Sequence, residues 1–355
     1  MLVSILTIFV LAPAPLLATE KLPRAGRTPD APTPAQSSVI QEGMALHDAG
    51  NFAGAISKYE QVLKESPHVV AALYELAASY AGKRDCLNAM VVARRGAEYK
   101  SELLPQFHML FGDCLDSLGK RLEAIDIYKA AIQTTPDFAL LHYNLALTYV
   151  RLARFEDAKK AAQQSLFLNP AHASSHYLLG VVYQQLGYRV PAILGLSSFL
   201  LMEPSSSRSG EALVRLNGLL GEGLSRSETS DEISVVLQAK SKKDEGDFDA
   251  VMVAMTLSLA AHMSPEKKPS TPFELITTSY SVMSGVLAKP EGKGFALRYY
   301  APFFANLDTK DFVEAFVYHA LASARLQGAT EWARDNPAKI SGFQQWLVSY
   351  RWPSK

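Results

Sequence analysis

The sequence predicts an all-α chain, a superhelical solenoid of helix pairs with an additional C-terminal helical region. Three observations carry that expectation. Apolar residues recur at helical spacing through residues 105–137 in two runs broken at Gly119-Lys120, which is the pattern of one helix–turn–helix unit. Shifting the window by 34 residues returns the same grammar: Phe111-Gly112 becomes Leu145-Ala146 and then Leu179-Gly180, Leu115 becomes Tyr149 and Tyr183, and Pro136 becomes Pro170 and Pro204. The chain is 48% hydrophobic, enough to pack a core throughout such a stack.

The small residue three before a tyrosine in the first helix (Ala146 before Tyr149, Gly180 before Tyr183), and Ala124, Ala158 and Ala192 in the second, resemble the tetratricopeptide repeat. The resemblance implies five units, residues 36–69, 70–104, 105–138, 139–172 and 173–206. In each, small residues at the eighth and twentieth positions let two helices approach, and large residues such as Tyr128 fill the gaps around them. The third unit starts one residue late, so residues 100–104 hold a one-residue insertion.

On either side of the repeats the composition changes. Residues 1–18 read as a signal peptide: Leu2 to Ala12 is an uncharged apolar run of signal-peptide length, too short to span a bilayer as a helix. No Lys or Arg precedes it, so two readings stay open: a cleaved signal, placing the chain in the periplasm or outside the cell, or an uncleaved segment that is the chain's sole route to a membrane. Without a signal the chain is cytoplasmic. Residues 19–35 carry Pro23, Pro29, Pro32 and Pro34 and read as an extended tether. After Pro204 the register breaks. Residues 207–231 read as one helix and a loop, and residues 232–265 as a degenerate sixth unit around the turn Gly246-Asp247-Phe248. Residues 271–355 match no repeat and read as helices, with Pro302 ending or kinking one of them.

Candidate function follows from the resemblance. In the tetratricopeptide family a concave groove is lined by first-helix residues at defined positions. Carried onto this sequence they include Met44, His47, Tyr74, Met109, Asp113, Asp116, Tyr143, Leu147, Arg151, Tyr177, Val181 and Gln184. The set is aromatic and aliphatic with an acidic patch at Asp113 and Asp116. It implies a peptide or helix of a protein partner laid along the groove, with basic residues near those acids. The carboxylate clamp of the chaperone-tail binders is absent, because Ile40 and Met44 stand where it needs Lys and Asn.

Other chemistries find little support. The 35 basic residues match 35 acidic ones, which leaves no positive field for nucleic acid. No phosphate loop, nucleophile elbow or metalloprotease helix occurs, so the chain is expected to be non-enzymatic and without cofactor. The competing reading is an enzyme whose activity lies in residues 271–355, with the repeats recruiting substrate. His108, His142 and His176 share the fourth position of consecutive units, yet stacked helices lie about 8–10 Å apart and cannot bring them to one ion, so no metal is expected. Cys86 and Cys114 fall on neighbouring antiparallel helices. They are either a disulfide, if the chain is exported, or two buried thiols.

Overall fold

The computed structural model describes residues 23–226, 233–236, 242–262, 270–288 and 292–353. The segment read as a signal peptide, residues 1–18, lies outside them. The chain divides into two compact units, residues 1–148 and 149–355.

The first unit contains three helix pairs: α1 (Pro34–Asp48) with α2 (Phe52–Glu65), α3 (Val70–Gly82) with α4 (Cys86–Gly96), and α5 (Leu104–Ser117) with α6 (Arg121–Thr134). The next helix, α7 (Ala139–Arg151), begins here and crosses into the second unit. Each pair turns on a residue with positive φ, Gly50 at 75°, Arg84 at 65° and Gly119 at 80°, the left-handed conformation that ends a helix. Close packing within a pair depends on the eighth-position glycines. A Cβ on Gly43 would collide with the Tyr59 ring, and one on Gly112 with the Tyr128 ring. Both rings are fully buried.

The Pro-rich segment is not a loose tether over its described part. Residues 23–33 are extended, as their prolines require, but pinned to the repeats. Gly26 and Arg27 donate from their amides to the Glu98 carbonyl at 2.9 and 3.0 Å, Lys100 returns a bond to the Arg27 carbonyl at 2.8 Å, and Asp30 donates to the His68 carbonyl at 3.0 Å. The guanidinium of Arg27 also pairs with Glu98 at 3.1 Å. Thr33 then opens α1 through a reciprocal capping box with Gln36, so the first helix starts inside the stretch read as tether.

In the second unit, α8 (Phe155–Leu168), α9 (Ala173–Leu186) and α10 (Arg189–Met202) continue the pairing. The register does not stop at Pro204. Helix α11 (Ser209–Gly221) packs on α10 and reaches α9, as the first helix of another pair would. Its Arg215 donates to Gln184 Oε1 at 2.9 Å, and Arg208 donates to Ser174 Oγ at 2.9 Å. The continuation is hard to see in sequence because Val214 stands at the eighth position, where the other units have Gly or Ala. Val214 is 73% exposed: among the described residues no second helix lies across it, so nothing there demands a small residue.

The stretch read as the first helix of a sixth unit is not helical where it is described. Strand β1 (Leu224–Arg226) pairs antiparallel with β2 (Ile233–Val235), Leu224 opposite Val235. Residues 242–248 are irregular, and only α12 (Asp249–His262) matches the expected second helix. The β-branched Ile233 and Val235 favour the ladder, and Gly246, at a φ of 133°, holds a backbone conformation no helix contains.

The last residues form α13 (Pro272–Leu287), α14 (Phe295–Tyr299), α15 (Ala301–Thr309), α16 (Val313–Ala320), α17 (Ala329–Asp335) and α18 (Pro337–Ser349). Thr271 caps α13 with a capping box to Glu274. Pro302 stands at the start of α15, where its missing N–H costs nothing. Asn336 does not cap α18 through its side chain; its Nδ2 donates back to the Trp332 carbonyl at 2.9 Å.

These helices cover the repeats of their own unit. Every residue of α10 except Met202 is buried, as a helix apolar all round must be. Ser197 meets the Tyr280 hydroxyl at 2.5 Å, His319 Nε2 donates to the Leu201 carbonyl at 3.2 Å, and the Tyr299 hydroxyl donates to the Leu166 carbonyl at 3.2 Å. Phe295 packs edge-on against Phe167 with centroids 4.9 Å apart.

Candidate functional site

In the first unit, the first-helix positions expected to line a groove are carried by α1, α3, α5 and the start of α7. Met44 is exposed, and His47, Tyr74, Met109, Asp113, Tyr143 and Leu147 are half-buried. Tyr74 stands edge-on to Phe107 at 5.7 Å, and His47 is held by a 2.8 Å bond from its Nδ1 to Ser79 Oγ. Both rings are therefore fixed before any partner arrives, which lowers the entropic cost of binding.

The acidic patch is arranged differently from expectation. Asp113 Oδ1 accepts the Tyr128 hydroxyl at 2.5 Å and Asn144 Nδ2 at 2.7 Å. Asp116 is buried and lies 3.5 Å from the Arg121 guanidinium. These two acids lock α5 to its neighbours, so the basic partner residues proposed for them meet carboxylates already engaged. The acid the groove positions omit is Glu75, beside Tyr74. It is half-buried and forms no salt bridge or hydrogen bond among the described residues. Burial raises its pKa, a rise that His47 offsets and Asp48 reinforces. Tyr74 feels both Glu75 and Asp113, and burial raises its pKa as well. Asp48, His47, Glu75, Tyr74 and Asp113 thus form one electrostatically linked set. The sequence signal for Glu75 is its position, one residue after a groove tyrosine.

In the second unit, Arg151 is exposed and Tyr177, Val181 and Gln184 are half-buried. Tyr177 packs on Phe199 at 5.0 Å and feels the charges of Glu211 and Arg215 of α11. With Gln184 also held by Arg215, two of the expected groove residues here serve the α9–α11 contact.

This unit also contains a polar cluster that sequence reasoning missed. Lys159 and Glu245 are both buried. Glu245 accepts from Gln163 Nε2 at 2.8 Å, the Tyr183 hydroxyl at 2.8 Å and the Ala296 amide at 3.1 Å. Lys159 Nζ lies 2.8 Å from Asp244, 2.9 Å from Glu156 and 3.4 Å from Glu245. These acids and Tyr188 raise its pKa despite the opposing effect of burial. No short motif joins residues so far apart.

Two of the three fourth-position histidines act as struts. His142 Nε2 donates to the Pro136 carbonyl and His176 Nε2 to the Pro170 carbonyl, each at 2.9 Å. In both cases the acceptor is the proline that closes the preceding helix pair. His108, behind the one-residue insertion, is buried with neither ring nitrogen bonded, and burial pushes its pKa down to about 4. No group of three metal-binding side chains occurs among the described residues. Cys86 and Cys114 are free thiols. In the C-terminal helices, Glu314 is bonded to Lys339 at 3.1 Å and His319 to a backbone carbonyl.

Two tetratricopeptide repeat profiles match the chain, one over residues 40–90 and 143–187, the other over 105–138. The matched segments coincide with helix pairs that turn as described above. The chain is a tetratricopeptide repeat protein, an all-α solenoid of that class. Among solved structures it is similar to PilF of Pseudomonas aeruginosa (22% identity, TM-score 0.47, 53% of this chain and 85% of that one). It is similar also to a thermophilic tetratricopeptide protein of Thermus thermophilus (21%, 0.44, 52% and 98%) and to MamA (23%, 0.39, 46% and 94%). No curated protein matches the chain in sequence.

Proposed function

We propose that the chain is a non-catalytic scaffold that holds a segment of a protein partner against the first-helix face of its first unit. The observation that carries this reading is Glu75, a half-buried carboxylate without a salt bridge among the described residues, beside the half-buried Tyr74 on the unit whose first helices also carry Met109 and Tyr143. A partner lysine or arginine reaching Glu75 gains a charge-assisted bond in a partly desolvated place, while the tyrosines and methionines supply contact area at little entropic cost. The partner segment is therefore apolar with at least one basic residue.

Site-specific photocrosslinking in the native host tests this. A crosslinker at Met109 is expected to capture a discrete partner, and one at Val91, exposed on the second-helix side, is not. Combining the Met109 crosslinker with Glu75→Gln and Tyr74→Ala should abolish capture while helicity is kept. Equal capture from Val91, or capture indifferent to both substitutions, moves the interface off this face.

A further inference from the structure

Between the second and third helix pairs of the first unit, the last turn of α5 meets the first turn of α4. Cys86 is the first residue of α4 and is partly exposed; Cys114 lies within α5 and is buried at 2%. Helices α4 and α5 pack against each other, and Cys86 is near enough to Cys114 to act on its thiol. Both are free thiols. Two thiols in this relation, one accessible and one buried behind it, have the layout of an attacking and a resolving cysteine.

We propose that Cys86 and Cys114 are a thiol–disulfide site that staples the second repeat to the third when the chain meets a disulfide oxidant. The Cys86 thiolate attacks one sulfur of a small-molecule disulfide, whose S–S bond breaks and releases one thiolate. Cys114 then loses its proton and attacks the Cys86 sulfur of the mixed disulfide, expelling the second thiolate. Two protein thiols lose two electrons to the oxidant's disulfide, which becomes two thiols, and the two protons end on them. Cys86 is the accessible thiol and Cys114 the buried one, which fixes the order of attack, and burial raises the Cys114 pKa. The staple bears on binding as well. Cys114 follows Asp113, and α5 carries Met109, so the bond anchors the helix that presents the proposed partner face.

The full chain, fully reduced and then incubated with glutathione disulfide, provides the test. The expected product has an intact mass lower by two hydrogens, no cysteine open to maleimide under denaturing conditions, and a thermal midpoint raised by about 5 °C. Dithiothreitol should reverse all three. Cys114→Ser should stop at a glutathione adduct on Cys86, and Cys86→Ser should form none. Persistence of the wild-type chain as a Cys86 adduct with Cys114 still alkylating overturns the proposal, as do two cysteines that stay reduced or an adduct on Cys114 in Cys86→Ser.

Discussion

The hydroxyl of Tyr300 lies 2.9 Å from Nδ1 of His176, across 124 residues of sequence. His176 Nε2 donates to the Pro170 carbonyl, so the neutral ring has its proton on Nε2 and Nδ1 accepts from Tyr300. Trp352 packs on the same imidazole at 5.5 Å and stacks on Tyr299 at 5.4 Å. A repeat histidine has thus become the point where the end of the chain is fastened. Tyr300→Phe removes the donor and leaves a buried acceptor unsatisfied, which should cost about 1–3 kcal/mol in urea unfolding at pH 7.5. An unchanged midpoint would show that the bond contributes nothing to stability.

Acid should weaken this fold through the same ring. Burial lowers the His176 pKa from its ordinary 6.5 to about 4, and that of His108 likewise. Between those values the unfolded chain binds protons that the native chain refuses, so stability is complete above pH 6.5 and falls as pH drops toward 4. Each histidine should contribute a loss of about 2 kcal/mol between pH 7.5 and pH 5. His108 permits a clean check because its ring nitrogens bond nothing. His108→Phe should stabilise the protein at pH 7.5 by about 1 kcal/mol and by more at pH 5, reducing the pH dependence by one histidine's share. Parallel pH curves for variant and wild type would refute this assignment.

How much of this was legible in the sequence depends on chain distance. The pairing of Gly112 with Tyr128 recurs at the repeat period, so the repeats could be read from one window and its shifted copies. Helix α11 was legible as a helix, but its place in the repeat escaped because its eighth residue, Val214, is neither Gly nor Ala. The Asp113–Asp116 patch was found by position, but Tyr128, Asn144 and Arg121, which engage it, lie on other helices. Contacts such as His176 with Tyr300, or Lys159 with Asp244, join segments with no common period. They become visible only once the C-terminal helices are folded onto the repeats.

Glu245 should prove essential to that folding. Its carboxylate takes three hydrogen bonds and sits beside the buried Lys159. Glu245→Ala strips the cluster of its buried acid and should cost about 3 kcal/mol, less than a wholly isolated charge because Asp244 and Glu156 remain on the lysine. Hydrogen exchange localises the effect. The Ala296 amide bonds to the Glu245 side chain, and the Leu297 amide to its backbone carbonyl at 3.0 Å. Exchange at Ala296 should accelerate more than at Leu297. Equal acceleration would mean that the whole 244–248 turn has detached.

Two glycines separate packing from propensity. A methyl group at Gly112 would run into the Tyr128 ring, whereas at Gly218 of α11 nothing lies within 4 Å. Both residues are helical, so alanine should help each by about 1 kcal/mol if propensity alone acted. At Gly112 the overlap dominates. Tyr128 is 1% exposed and its hydroxyl is committed to Asp113, so the ring cannot retreat, and Gly112→Ala should be net destabilising by about 1–3 kcal/mol. Gly218→Ala should raise stability by roughly the propensity difference. The opposite signs, measured in one denaturant series, would show that the eighth-position glycine exists for the helix laid across it. A destabilising Gly218→Ala would instead reveal that α11 is covered by a surface as close as the one at Gly112.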